Sequence, residues 1–233
     1  MSNRYFQVCP VSKAAEILGE RWTILIIREL LLGAPHFGDL QHALPRLSPT
    51  LLTKRLHELQ DVGIVIRKTG SGGRRTEYQL TAAGRELEPV ILKLGEWGMK
   101  WARGQMSDDE LDVESLMYDY NRRLDPTQLP SGETVLEFVF NGLRQYGRWW
   151  IVVAADGERE LCIDPPGRPV DLQIRSDLRT LTEIWTGDTD LRAARREGRL
   201  ELTGNAVLIR TIRSWLRTSI MAHIRPHPKA LRV

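Results

Sequence analysis

The chain has little cysteine: Cys9 and Cys162 are the two thiols in 233 residues, and they lie far apart. Two thiols cannot build the disulfide framework of a small secreted domain, and their spacing is wrong for a zinc site, so both are expected to be reduced. No stretch approaches the roughly 20 consecutive apolar residues of a membrane helix. The opening "MSNRYFQVCP" also lacks a basic segment followed by an apolar one, so a cytoplasmic location without a membrane partner is expected. The five histidines, at 36, 42, 57, 223 and 227, have no spacing that would collect a metal. The glycine run "GSGG" lies in a hairpin instead of between a strand and a helix, which excludes a phosphate loop. No nucleophile and base stand at a recognisable spacing. The expectation is a protein that is not an enzyme, with no catalytic residues, no metal and no cofactor.

What is present is an ordinary globular composition, 42% apolar and 27% charged, over a length that suits two domains. The net charge of +3 is unevenly spread. Residues 1–104 hold fifteen basic against ten acidic residues, or +5; residues 105–130 hold two against seven, or −5; residues 131–233 hold sixteen against thirteen, or +3. The acidic middle ends in Pro126, Pro130 and Gly132 and shows no alternating pattern, so 105–130 reads as a linker.

In the first segment, "SKAAEILGERWTILIIRELLLGA" reads as two helices broken at Gly19, the second apolar enough to be central to a core. "HFGDLQHAL" is a short helix ending at Pro45, and Ser48 with Pro49 starts an amphipathic helix that stops near Gly63. Its Leu52, Leu56 and Leu59 form one stripe; Thr50, Thr53, Lys54 and His57 form another at i, i+3, i+4 and i+7. Ile64–Thr69 and Arg74–Leu80 then read as an antiparallel hairpin carrying Arg74 and Arg75. Helix, turn, helix and basic hairpin in that order make a winged helix-turn-helix. Ser48, Thr50, Thr53, Lys54, His57, Arg74 and Arg75 are therefore the candidate contacts to double-stranded DNA, at base edges or phosphates. An exposed polar helix face can also be merely solvated; the order of elements and the +5 charge favour DNA.

Thr81 is a plausible cap for a helix carrying Leu87, Val90, Ile91, Leu94, Trp97 and Trp101, bent near Pro89. Its apolar face packs either on the domain's own first helix or on a second copy, and homodimerisation is the reading adopted.

"CP" at Cys9–Pro10, "ILGERWTILIIRELLLG", "HFGDL", "LSPTLLTKRLHELQDVGIV" and "TEYQLTAAGREL" together resemble the HxlR-type winged-helix transcription regulators over residues 7–102. The resemblance implies a homodimer whose second helix reads a palindromic operator, with half-sites roughly one helical turn, about 34 Å, apart. The chain departs from that family in the wing, where "GSGGRRTEY" stands in place of prolines before the Glu-Tyr pair. Some members have a redox-sensing cysteine at the position of Cys9, which leaves a redox or a structural role open for it.

Residues 131–233 change period. "TVLEFVF" and "RWWIVVAA" read as buried strands, "RELCID" and "PVDLQIRS" as one-sided strands, and "RLELTG" as a last strand. Ser176 and Asp188 are the expected caps of the helices "DLRTLTEIWTG" and "TDLRAARREG"; "NAVLIRTIRSWLRTSIM" is a terminal helix with Leu208, Ile212 and Trp215 inward and Arg210, Arg213 and Arg217 on a solvated face. The whole is α+β, in two domains. The pattern of Trp185, Gly187, Asp188, Ala193 or Ala194, Glu197, Gly198, Arg199, Leu200, Leu202 and Gly204 resembles the sterol carrier protein-like fold, in which a sheet backed by helices encloses an apolar tunnel. That resemblance implies a pocket for a hydrophobic small-molecule effector, with Phe138, Phe140, Trp150, Trp185 and Trp215 as candidate lining; the alternative is that these rings fill the core. Regulator of transcription is the main reading. A carrier of hydrophobic ligands using its winged helix only to dimerise is the alternative.

Overall fold

A glycine with no room for a side chain separates the first two helices. A Cβ on Gly19 would stand 2.6 Å from the Ala15 carbonyl oxygen, so only glycine closes α1 (Pro10–Leu18) this tightly before α2 (Thr23–Leu31) begins. The computed structural model describes residues 5–69, 76–102 and 107–228, which form two units dividing at Gly95 and Glu96.

In the first unit, Ile26 and Ile27 of α2 are wholly buried, as the apolar run requires. α3 (Phe37–Ala43) is capped by a reciprocal pair in which the His36 N–H donates to Asp39 Oδ2 at 3.2 Å. α4 (Pro49–Asp61) has Ser48 as its N-cap and Pro49 in its first turn, where the missing N–H costs nothing. A 13-residue helix is marginal alone in water, so burial of Leu52, Leu56 and Leu59, worth about 1.5–3 kcal/mol each, sustains it. Gly63 at φ +76° turns the chain into a hairpin of β1 (Val65–Thr69) and β2 (Thr76–Leu80), antiparallel with Val65 opposite Leu80 and Thr69 opposite Thr76.

Thr81 caps α5 (Ala82–Arg85) as the sequence indicates. The single bent helix expected beyond it is instead two: the chain breaks at Glu86–Leu87, and α6 (Glu88–Trp97) starts anew with Pro89 at its second position. A π-helical turn over Gly98–Ala102 follows.

The linker expected at 105–130 is not one. α7 (Val113–Arg123) occupies it, capped by Asp112, and buries Leu116, Met117 and Tyr120 in the core of the second unit. That unit is built on a five-stranded sheet of β3 (Thr134–Asn141), β4 (Arg148–Val153), β5 (Arg159–Cys162), β6 (Leu172–Asp177) and β7 (Leu200–Gly204), in the order β5-β4-β3-β6-β7. β3 pairs parallel with β6, and the other pairings are antiparallel. One face, with Leu136, Phe138, Ile151 and Ile174, shares a core with α7, α8 (Leu178–Thr186), α9 (Leu191–Arg196) and α10 (Ala206–Trp215).

Three boundaries differ from expectation. Asp177, not Ser176, caps α8, accepting from the Thr180 N–H at 2.8 Å; Ser176 is fully buried and donates to the Arg199 carbonyl at 2.7 Å. Asp190, not Asp188, caps α9, while Asp188 accepts from the Thr186 hydroxyl at 2.8 Å. The terminal helix stops at Trp215 instead of running to Met221. No helix among the described residues is long and apolar enough to cross a membrane.

Candidate nucleic-acid interface

The orientation of α4 is set by an arginine that reasoning from the sequence missed. Leu52, Arg55, Leu56 and Leu59 stand at i, i+3, i+4 and i+7, so Arg55 falls on the buried face among the leucines. Its Nε donates to the Arg21 carbonyl at 3.0 Å, Nη2 to Glu20 at 2.6 Å and Nη1 to Glu58 at 2.5 Å. The planar guanidinium suits such a three-way clamp, and it fixes α4 to the connection between α1 and α2. The signal was available: a cation at an apolar heptad position demands partners.

The far face of α4 is free for another molecule. Ser48, Thr50, Thr53, Lys54 and His57 are all exposed, and the structure brings them together on one side as the spacing implied. The Ser48 hydroxyl accepts from the Leu51 N–H at 3.4 Å, which holds the first turn. Thr53 donates its hydroxyl to the Pro49 carbonyl at 3.0 Å, which leaves the oxygen as an acceptor suited to a base amine. Lys54 lies 3.8 Å from Glu58, an exposed pair that water and salt weaken, so its ammonium is readily released to a phosphate.

The hairpin is tied to the helix-turn-helix by backbone. The Tyr78 N–H donates to the Pro35 carbonyl at 2.7 Å, and His36 Nδ1 lies 3.1 Å from the Thr76 carbonyl. At its base the Thr81 hydroxyl donates to the Gly63 carbonyl at 2.8 Å, and Gly84 lies so close that a Cβ would stand 2.5 Å from the Ile64 oxygen. Arg74 and Arg75 lie outside the described residues. Two wing cations not foreseen, Arg67 and Lys68, are exposed on β1; Arg67 also donates to the Thr76 hydroxyl at 3.4 Å.

Residues 17–106 match the family described as HxlR-like helix-turn-helix. The uncharacterized HTH-type transcriptional regulator sll1512 of Synechocystis sp. is 39% identical over 95 residues, which cover 40% of this chain and 70% of that protein. The uncharacterized HTH-type transcriptional regulator YvaP of Bacillus subtilis is 38% identical over 97 residues, covering 41% of this chain and 90% of YvaP. The chain belongs to the HxlR-like helix-turn-helix family. The helix-turn-helix and hairpin described above lie within the family's span, which stops short of the sheet of the second unit.

The other candidate residues are distributed differently. Phe138, Phe140 and Trp215 are buried in the second unit's core with Trp185 packed against it, and Tyr120 stands edge-on to Trp185 with 5.2 Å between ring centroids. Trp150 is not with them: it lies on the opposite face of the sheet with Val135 and Val152, because adjacent residues of a strand point to opposite faces. Cys9 is exposed at the N-terminus of α1, where the Ser12 and then the Val11 backbone N–H groups draw its thiol below the ordinary cysteine value. Cys162 is half-buried, and desolvation first, then Glu160, pushes its thiol up. No group of three or more His, Cys, Asp or Glu side chains suited to a metal ion occurs among the described residues.

Proposed function

We propose that the protein is a homodimeric transcription regulator, not a catalyst, that binds operator DNA by placing α4 in the major groove with the hairpin on the adjacent backbone. The observation that carries this is the exposed row Thr50, Thr53, Lys54 and His57 on a helix whose other side is buried and clamped by Arg55. A groove-reading helix needs a firm seat and a polar face exposed to solvent, and α4 has both. Dimerisation is supported by apolar side chains that a single chain leaves in water: Phe6 and Val8 are 86% and 96% exposed, and Val90, Leu94 and Trp97 of α6 are exposed as well. A two-fold dimer calls for a palindromic operator with half-sites about 34 Å apart.

Selection of bound sequences from a random duplex pool tests the reading, repeated with Lys54→Ala and Arg74→Ala. Enrichment of a palindrome, weakened in both variants, is the expected result. Uniform retention of the pool, or an enriched motif indifferent to Lys54→Ala, would refute it.

For the second unit we propose a sterol carrier protein-like, effector-binding role. A sheet with helices against one face supports it, as does the pattern from Trp185 to Gly204, whose glycines have structural reasons: a Cβ on Gly187 would stand 2.1 Å from the Ala222 oxygen, and one on Gly204 2.3 Å from the Asp171 oxygen. An effector acts on DNA binding only through unequal affinity for the competent and incompetent states.

A further inference from the structure

α9 and α10 border an open cleft of about 540 Å³. Arg192, Arg195 and Arg196 of α9 and Arg210 and Arg213 of α10 line it. All five are exposed, and among the described residues none of their guanidinium groups makes an ion pair within 4.0 Å or a hydrogen bond. The acidic neighbours in the chain are engaged elsewhere: Asp190 accepts from the Arg192 and Ala193 N–H groups at 2.7 and 2.9 Å as the cap of α9, and Glu197 pairs with Arg199 at 2.7 Å. Beneath the arginines lie Leu191, Ile209 and Ile212. A second cleft of about 380 Å³ adjoins at Leu191 and Arg213, but its Arg217 is held by Asp125 at 3.1 Å.

A solvated basic face alone would explain scattered arginines on a convex helix. It does not explain five gathered around a concavity with an apolar floor, where like charges repel one another and the Asp190 carboxylate, which attracts Arg192 and Arg213, forms no direct ion pair with either. The volume falls within the roughly 300–1,000 Å³ of small-molecule sites. Phosphate backbone of a nucleic acid would use the arginines but gain nothing from Leu191, Ile209 and Ile212. A small ligand with both an anionic group and an apolar body uses both, the fork of each guanidinium matching a carboxylate or phosphate.

We infer that the cleft between α9 and α10 binds a small amphiphilic anion, an apolar body carrying a carboxylate or phosphate. It rests on the effector role proposed above only for its regulatory consequence; binding itself stands on the cleft.

The test is calorimetric titration of the full chain with decanoate, decyl phosphate, decanol and inorganic phosphate, each below micelle formation, and of an Arg210→Gln/Arg213→Gln variant whose thermal melting confirms its fold. One or both alkyl anions should bind the native chain, and the stronger of the two shows which head group is preferred. In the variant that affinity should fall on the order of tenfold, the loss expected for charge-assisted contacts at a partly exposed site. Decanol and inorganic phosphate should each bind at least about tenfold more weakly than the preferred anion. Absence of binding by either alkyl anion, equal binding by decanol or by inorganic phosphate, or an unchanged variant overturns the inference. So does a random duplex whose binding is lost in the variant yet kept in Lys54→Ala, which assigns the cleft to nucleic acid. Failure of operator selection would leave these titrations unaffected, so the two ideas fail separately.

Discussion

Arg55→Ala is the sharpest probe of how the recognition helix is seated. The substitution removes three hydrogen bonds, to the Arg21 carbonyl, Glu20 and Glu58, and the aliphatic stem of a side chain that is 8% exposed. Bonds to charged groups are worth about 1.5–3 kcal/mol when shielded, but Glu20 and Glu58 are 38% and 44% exposed and rehydrate when the arginine leaves, which cuts each to roughly 0.5–1 kcal/mol. Adding about 1 kcal/mol for the orphaned carbonyl and lost stem gives a total of about 2–3 kcal/mol. Hydrogen exchange of the α4 amides, read peptide by peptide, should therefore quicken about 30- to 150-fold. Arg55→Met, which restores the stem but not the bonds, should recover less than about 1 kcal/mol of that loss. DNA affinity should fall in Arg55→Ala along with this protection, whereas Lys54→Ala should lower affinity and leave exchange unchanged. If α4 in Arg55→Ala exchanges within about threefold of the native rate, the clamp is not what holds the helix.

Replacing Lys54 by Ala should reduce the slope of log affinity against log salt by about 1, in a titration by fluorescence anisotropy; an unchanged slope would remove Lys54 from the phosphate contacts. Gly84→Ala forces a Cβ to 2.5 Å from the Ile64 oxygen, so the base of the hairpin must shift; a loss of about 1–3 kcal/mol in denaturant unfolding is expected, and native stability would contradict the crowding. Because backbone N–H groups favour the Cys9 thiolate while burial disfavours that of Cys162, alkylation of Cys9 should reach half its maximal rate at lower pH; the reverse order by mass spectrometry would count against an activated Cys9. Leu94→Ser with Trp97→Ser should turn a dimer into a monomer by light scattering, and a dimer of unchanged stability would place the interface elsewhere.

Much of the architecture was legible because periodicity is a direct imprint of packing. The stripe of Leu52, Leu56 and Leu59 foretold the buried side of α4, and the alternation of Leu172 and Ile174 foretold the faces of β6. The misreadings share a cause, which is that a local signal has more than one solution. Ser176 and Asp177 are both good caps, as are Asp188 and Asp190, and packing of the following turn decides between neighbours. In residues 105–130, acidic charge and prolines masked a helical stripe of Val113, Leu116, Met117, Tyr120 and Leu124 at i, i+3, i+4, i+7 and i+11, which is what packs into the core. Trp149 and Trp150 are consecutive in β4, so one of them had to face away from the other aromatic rings.

Arginine shows why residue type alone could not assign roles in this chain. Arg55 is buried with two carboxylates and a carbonyl, and its charge is spent on holding a helix. Arg217 is tied to Asp125 on the surface of the second unit, where such a pair contributes little. Arg210 and Arg213 stand on the same helix face as Arg217 in the sequence, yet among the described residues they make no ion pair and overhang apolar side chains. A cation offers most to an external anion where no protein carboxylate holds it tightly. The arginines between α9 and α10, and Lys54 with its exposed and weak pair to Glu58, are such places, one suited to the head group of a small amphiphile and the other to the phosphates of a duplex.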